Sequence, residues 1–197
     1  MQSVYLNGLT SLCSPPTPVV MGVRLRPFSL GHSVLLEAVE SPYMSDAQSV
    51  DSGDLALAVW ICSHTYEDAS AALNSDDPRI KKAFMRWGKR WSRRGVFLDE
   101  LDTFTAYLNY YADAPTRWES DDSNELRVPW QWAMLNTLCG GVADPALHSR
   151  VLNMPLNSAI CQACAIGAAN GDESLMSEYE ERAISELAEI SRGAGDV

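Results

Sequence analysis

Cys161 and Cys164 stand in the run CQAC, the C-x-x-C spacing of thiol redox centres and of half a zinc site, and Cys139 with His148 upstream completes a four-ligand set on paper. A structural zinc site pairs two such knuckles, and only one is present here. The run lies inside LNSAICQACAIGAA, an apolar stretch of helical character in which small thiols at i and i+3 fill a tight interface. The spacing therefore reads as core packing, with no metal and no cofactor expected. His32, His64 and His148 are scattered and form no H-E-x-x-H or comparable ligand pattern. Glu37, Glu40, Glu100 and Asp102 could pair in space for acid–base work, but carboxylates on helices ordinarily form solvated faces. The nucleophile elbow G-x-S-x-G and the phosphate cradles G-x-x-x-x-G-K-[ST] and G-x-G-x-x-G are absent, and no enzyme activity is expected.

The concentration of charge is more informative. Eight of the fifteen Lys and Arg residues lie between Arg79 and Arg94, in a chain of formal net charge -11. At about 100° per residue, Ile80, Phe84, Trp87 and Trp91 share a narrow arc of that helix. Arg79, Lys82, Arg86, Lys89, Arg90, Arg93 and Arg94 lie on the other side, and only Lys81 leaves the basic face. Three uses compete for such a cationic amphipathic helix. Its apolar arc can pack into the core with the charges merely solvated. It can dock an acidic partner, including the acidic region Asp172 to Glu189 of a neighbouring copy, which carries seven Asp or Glu. It can meet phosphates of nucleic acid or an anionic membrane, although the rest of this acidic chain would be repelled. The docking reading names Arg79, Lys82, Arg86, Trp87, Lys89, Arg90, Trp91, Arg93 and Arg94 as partner-binding residues, with the two tryptophans as anchors.

The elements that must carry these residues are mainly helical. At 197 residues and 46% hydrophobic content the chain can bury one core without disulfide or metal staples. The first twenty residues lack the charged and greasy regions of a secretory signal, and no window holds about 18 consecutive apolar residues. With five cysteines, reduced thiols and a cytoplasmic location fit this pattern. SPPTP disfavours helix and interior strand, so residues 1–27 read as an extended N-terminal arm, with a short strand at Val19 to Leu25 whose partner is not obvious. Residues 28–197 read as a single compact all-α or mainly α domain of seven to eight short helices.

Caps and breakers set the helices. The first runs through SLGHSVLLEAVES and stops before Pro42; the second starts near Asp51 with Leu55, Ala58, Val59 and Cys62 on one stripe. Asp77 and Pro78 open the basic helix. A fourth places Leu98, Leu101, Thr105, Leu108 and Ala112 at helical spacing, and a polar loop TRWESDDSNELR follows. Pro129 and the Gly140–Gly141 pair bracket a fifth, whose Trp130 and Trp132 cannot both point one way. Asp144 with Pro145 opens a sixth and Pro155 a seventh ending at Asn170, while Ser177 with Glu180 forms a capping box for the last.

Two stretches resemble small morphogenesis proteins of tailed bacteriophages, especially the tail assembly chaperones: LRPFSLGHSVLLEAVESPY with DLALAVWICSHTYEDA, and MPLNSAICQACAIGAANGDESLMSEYEERAISEL. The resemblance covers about half of the chain and carries no catalytic residue. It implies a non-enzymatic, protein-binding assembly factor in the host cytoplasm, whose partner is a tail or capsid component or another copy of the chain. A virion component of the connector or completion type is the alternative it implies. A small nucleic-acid-binding protein using the 78–94 helix is the alternative that the basic face itself suggests.

Overall fold

The computed structural model describes residues 17–44, 49–92, 97–112 and 129–170, without the side chains of Lys81, Arg90, Ser92 and Ala112. A hairpin of β1 (Val19–Val20) and β2 (Val23–Arg24) precedes α1 (Leu30–Ala38), a 3-10 turn (Pro42–Met44), α2 (Ser52–Cys62), α3 (Tyr66–Leu73) and α4 (Pro78–Ser92). Then come α5 (Phe97–Ala112), α6 (Trp130–Leu138), α7 (Pro145–Leu152) and α8 (Leu156–Ala169). The fold is mainly helical, as composition and punctuation predict. The polar loop after Pro115 and the helix expected from Ser177 lie outside the described residues.

The caps account for most helix starts. Asp51 accepts from the amides of Gly53 and Asp54, and Asp144 accepts from Ala146 N–H ahead of Pro145. Asp77 Oδ1 accepts from Arg79 N–H at 2.8 Å, with Pro78 in the first helical position where its missing N–H costs nothing. Gly140 and Gly141, at φ 60° and 72°, end α6 in the left-handed region. α2 is the central helix and packs on α1, α3, α4 and α5. Its expected stripe, Leu55, Ala58, Val59 and Cys62, is buried, and Ala56 and Ile61 are buried with it because neighbours cover more than one side.

Four expectations change in three dimensions. The separate arm expected over residues 1–27 does not hold for residues 17–27: Val20, Met21 and Leu25 are buried in the core of the helical domain. The strand partner is inside the same run, since Val20 pairs with Val23 across a two-residue turn, Met21-Gly22, at φ 48° and 73°. Two consecutive positive φ values make the turn type that matches the twist of a tight hairpin. Glu100 Oε2 on α5 accepts from Met21 N–H at 2.6 Å and holds the one turn residue that is not glycine. A Cβ at Gly22 would stand 2.5 Å from Trp91 Cζ2. Gly22→Ala is therefore expected to cost about 2 kcal/mol, the left-handed backbone penalty plus displacement of the indole. A lowered urea midpoint together with an altered tryptophan near-UV signal checks it; an unchanged midpoint would show that the turn tolerates a side chain.

The second change is α3, which the sequence reading runs into its neighbours. Thr65 caps it by accepting from Asp68 N–H, and Glu67 and Asp68 in its first turn are the signal that marks it. Third, the buried face of α5 is Phe104, Tyr107 and Tyr111 with Leu101 and Leu108 half-buried, whereas Leu98 is 69% exposed and Thr105 is exposed. The helical period is the expected one, rotated so that the three rings enter the core; larger apolar area decides which face turns inward. Fourth, of Trp130 and Trp132, which cannot both point one way, neither is buried. Trp60, Trp87 and Trp91 are half-buried against the core, and Trp130 and Trp132 are both exposed.

Candidate functional site

The three stretches singled out in the sequence meet at one point. Ser29, at the R-P-F-S-L-G entry to α1, pairs with Pro155 at the Met-Pro entry to α8: Leu156 N–H donates to Phe28 O at 2.7 Å and Leu30 N–H to Met154 O at 3.2 Å. Ser29 Oγ accepts from His32 N–H, and His32 Nδ1 accepts from Ser29 N–H at 3.1 Å, a capping box with imidazole as acceptor. That leaves Nε2 as the protonated nitrogen, and it donates to His64 O at 2.9 Å, within ICSHTYEDA. Asn153 Oδ1 accepts from Tyr66 N–H, while Asn153 and Ser149 both donate to Glu67. Burial alone would raise the Glu67 carboxyl, but the hydrogen bonds from Ser149 and Asn153 outweigh it and hold the group below its usual range. This node is a structural clamp that fixes α1, α3, α7 and α8 and, through the His64 carbonyl, the end of α2. The individual motifs were legible in the sequence; their meeting was not.

Among the described residues the candidate chemical groups hold structural positions or face solvent. Cys164 and Cys139 are buried and Cys161 is half-buried. Burial pushes the Cys161 thiol up, and the neighbouring Cys164 adds to it; burial and then Asp144 do the same at Cys139. Thiols so placed hold little thiolate at neutral pH. Among the described residues no group of three or more His, Cys, Asp or Glu is arranged to hold a metal ion. Two of the four carboxylates expected on solvated faces have structural duties instead: Glu100 on the hairpin turn, and Glu37 accepting from Gln131 Nε2 on α6. Glu40 and Asp102 are exposed.

The basic helix divides as the periodicity predicts. Phe84, Trp87 and Trp91 pack against the core, with the Phe84 ring edge-on to Trp60 at 6.1 Å and Trp91 over the Gly22 turn. Ile80, expected in the same arc, is 37% exposed and lines a small groove with Trp60 and His64. Trp87 and Trp91, expected as partner anchors, thus serve the chain's own packing. Arg79, Lys82, Arg86 and Lys89 are exposed at spacings of three and four residues, and among the described residues none of them forms an ion pair. Arg93 and Arg94 and the side chain of Arg90 lie outside the described residues.

The surface beside this row is what sequence reasoning missed. α4 packs on α2 at Gly88, where a Cβ would be in ordinary contact with Ala56 Cβ at 3.6 Å. Above that contact the two helices enclose an open groove of about 680 Å³, floored by Ala56, Phe84, Met85 and Gly88 and flanked by Lys82, Arg86 and Lys89. Met85 is 68% exposed and supplies the apolar contact that the tryptophans do not. The amides of Gly53 and Asp54 at the α2 end of the groove are satisfied by Asp51. A smaller groove of about 320 Å³ lies on the other side of α4, between Trp60, His64 and Trp87. Comparison with protein-family models, with curated proteins and with solved structures found no match to this chain. Among the described residues no helix is long and apolar enough to cross a membrane.

Proposed function

We propose that this chain is a non-enzymatic assembly factor that docks an acidic protein segment on α4, the class of activity implied by the resemblance to phage tail assembly chaperones. The observation that carries the reading is the row Arg79, Lys82, Arg86 and Lys89, exposed and without ion pairs among the described residues, beside an apolar groove of about 680 Å³. A merely solvated face needs no apolar floor. A protein partner needs both parts, carbon surface for affinity and charge for orientation and encounter rate. Met85 is a good contact for variable partners, since its unbranched thioether adapts to the surface it meets. In this setting the partner is a tail or capsid component held until it assembles, or another copy of the chain.

The test uses the full chain and its Lys82→Glu, Arg86→Glu, Lys89→Glu variant. Each is titrated at one salt concentration with an acidic amphipathic peptide and, separately, with single-stranded DNA. Wild type is expected to bind the peptide at least tenfold more tightly than the variant, with equal helicity because all three side chains are exposed. Binding of the DNA with higher affinity than the peptide would transfer the face to the nucleic-acid reading. Peptide binding equal in both proteins would leave the row a solvated face.

A further inference from the structure

We propose that the groove between α2 and α4 is filled by the acidic segment 172–190 of a second copy of this chain, in a reciprocal dimer. The inference rests on the reading of α4 as a docking surface and names its partner. The sequence that matches the groove is in the chain itself. Between Asp172 and Ile190 stand seven Asp or Glu and one Arg, while Met176, Tyr179, Ala183, Leu187 and Ile190 recur at intervals of three and four. That spacing predicts an amphipathic helix with an apolar row flanked by acids.

Dimensions and charge agree. Lys82 and Lys89 stand about 10 Å apart along their helix, and Glu173 and Glu180 about 10 Å apart along theirs. Met176, Tyr179, Ala183 and Leu187 would meet the carbon floor of Ala56, Met85 and Gly88, and Glu173 and Glu180, seven residues apart on one flank of that row, would meet Lys82 and Lys89, also seven apart. Opposite rows on an apolar seam give both register and partner choice.

Reach selects a second copy over the same chain. α8, which leads to Asn170, packs on α5 and α6; α5 packs on α2, and α2 on α4. The layers of α5 and α2, with axes about 8–10 Å apart at each packing, thus stand between α8 and α4. Residues 171–172, ahead of Glu173, span at most about 7 Å, less than one such spacing. Exchange between two copies satisfies both grooves and closes the assembly at a two-fold dimer.

Sedimentation velocity on the full chain tests this with two charge variants, Lys82→Glu, Arg86→Glu, Lys89→Glu and Glu173→Lys, Glu180→Lys. Wild type is expected to be a dimer at micromolar concentration that dissociates as salt rises. Each variant alone is expected to dissociate at least 100-fold more readily, since its groove and segment then carry like charge. An equal mixture is expected to regain the dimer, because the acidic groove of one variant accepts the basic segment of the other, and each basic groove finds an acidic segment. That rescue also shows that neither variant has merely unfolded. A monomeric wild type, or a mixture that stays monomeric, overturns the proposal. So does a chain carrying both charge sets at once that stays monomeric, since its reversed groove and reversed segment should pair between copies as the wild-type ones do. A monomeric wild type that still binds the acidic peptide in an α4-dependent way would sink the dimer and leave the docking reading standing.

Discussion

Gly31→Ala is expected to lower the stability of the folded chain by about 2 kcal/mol, against a gain in helix propensity of about 1 kcal/mol for the same change. Gly31 is in the first turn of α1, where that helix meets the end of α7 and the start of α3. A Cβ built there would stand 2.8 Å from Leu152 O and 2.8 Å from both Cβ and Cδ2 of Tyr66. One of these neighbours is backbone and another is a Cβ, so neither can rotate away; relief requires moving a helix. Moving α1 away from α7 would also stretch the bonds from Leu30 N–H to Met154 O and from Leu156 N–H to Phe28 O. For a domain of this size the cost corresponds to a melting temperature lower by roughly 4–8 °C, and Gly31→Val, with a larger side chain, should exceed it. Calorimetry of the two variants beside wild type decides the matter. An alanine variant as stable as wild type would mean that propensity wins and that the junction yields freely.

Acidification from pH 6.5 to 4 is expected to remove about 3 kcal/mol of stability through His32 alone, at 1.36 kcal/mol for each unit of pKa difference. His32 is 1% exposed, and burial lowers its pKa from 6.5 to about 4; the hydrogen bond to the His64 carbonyl opposes the shift, and the charges of Arg26 and His64 add to it. The direction follows from proton counting. Between pH 6.5 and 4 the unfolded chain takes up a proton that the folded chain refuses, so stability is full above 6.5, falls through that window and levels off below 4. Geometry gives the same answer independently. Nδ1 accepts from Ser29 N–H, so a proton on Nδ1 would face another proton inside the capping box. Urea unfolding of wild type and His32→Gln at pH 7, 5 and 4 isolates the effect from that of the carboxylates, which both proteins share. The wild-type curve is expected to fall more steeply than the variant's. Parallel curves, or an imidazole NMR titration with a midpoint near 6.5, would show that His32 is not held neutral.

Local chemistry made much of this protein legible from its sequence. Asp51, Asp77 and Asp144 announce their helices because an N-cap carboxylate satisfies amides within three residues, and Pro78 and Pro145 fit where no amide is needed. The division of α4 into an apolar arc and a cationic row follows from the 3.6-residue period. What the period could not decide is which arc faces a partner. Trp87 and Trp91 look like anchors until Trp60 and the Gly22 turn are placed beneath them, and burial of the chain's own largest apolar surfaces then leaves Met85 outside. The hairpin escaped detection because its partner strand is only two residues away, and its turn gains from a Glu100 contact 79 positions later. The clamp at Ser29, His32, His64 and Pro155 joins segments far apart in the chain, and no local preference encodes such a meeting. The groove beside the cationic row has the same origin. Gly88 comes to lie over Ala56 only when α4 packs on α2, and that packing, rather than either helix alone, encloses the groove.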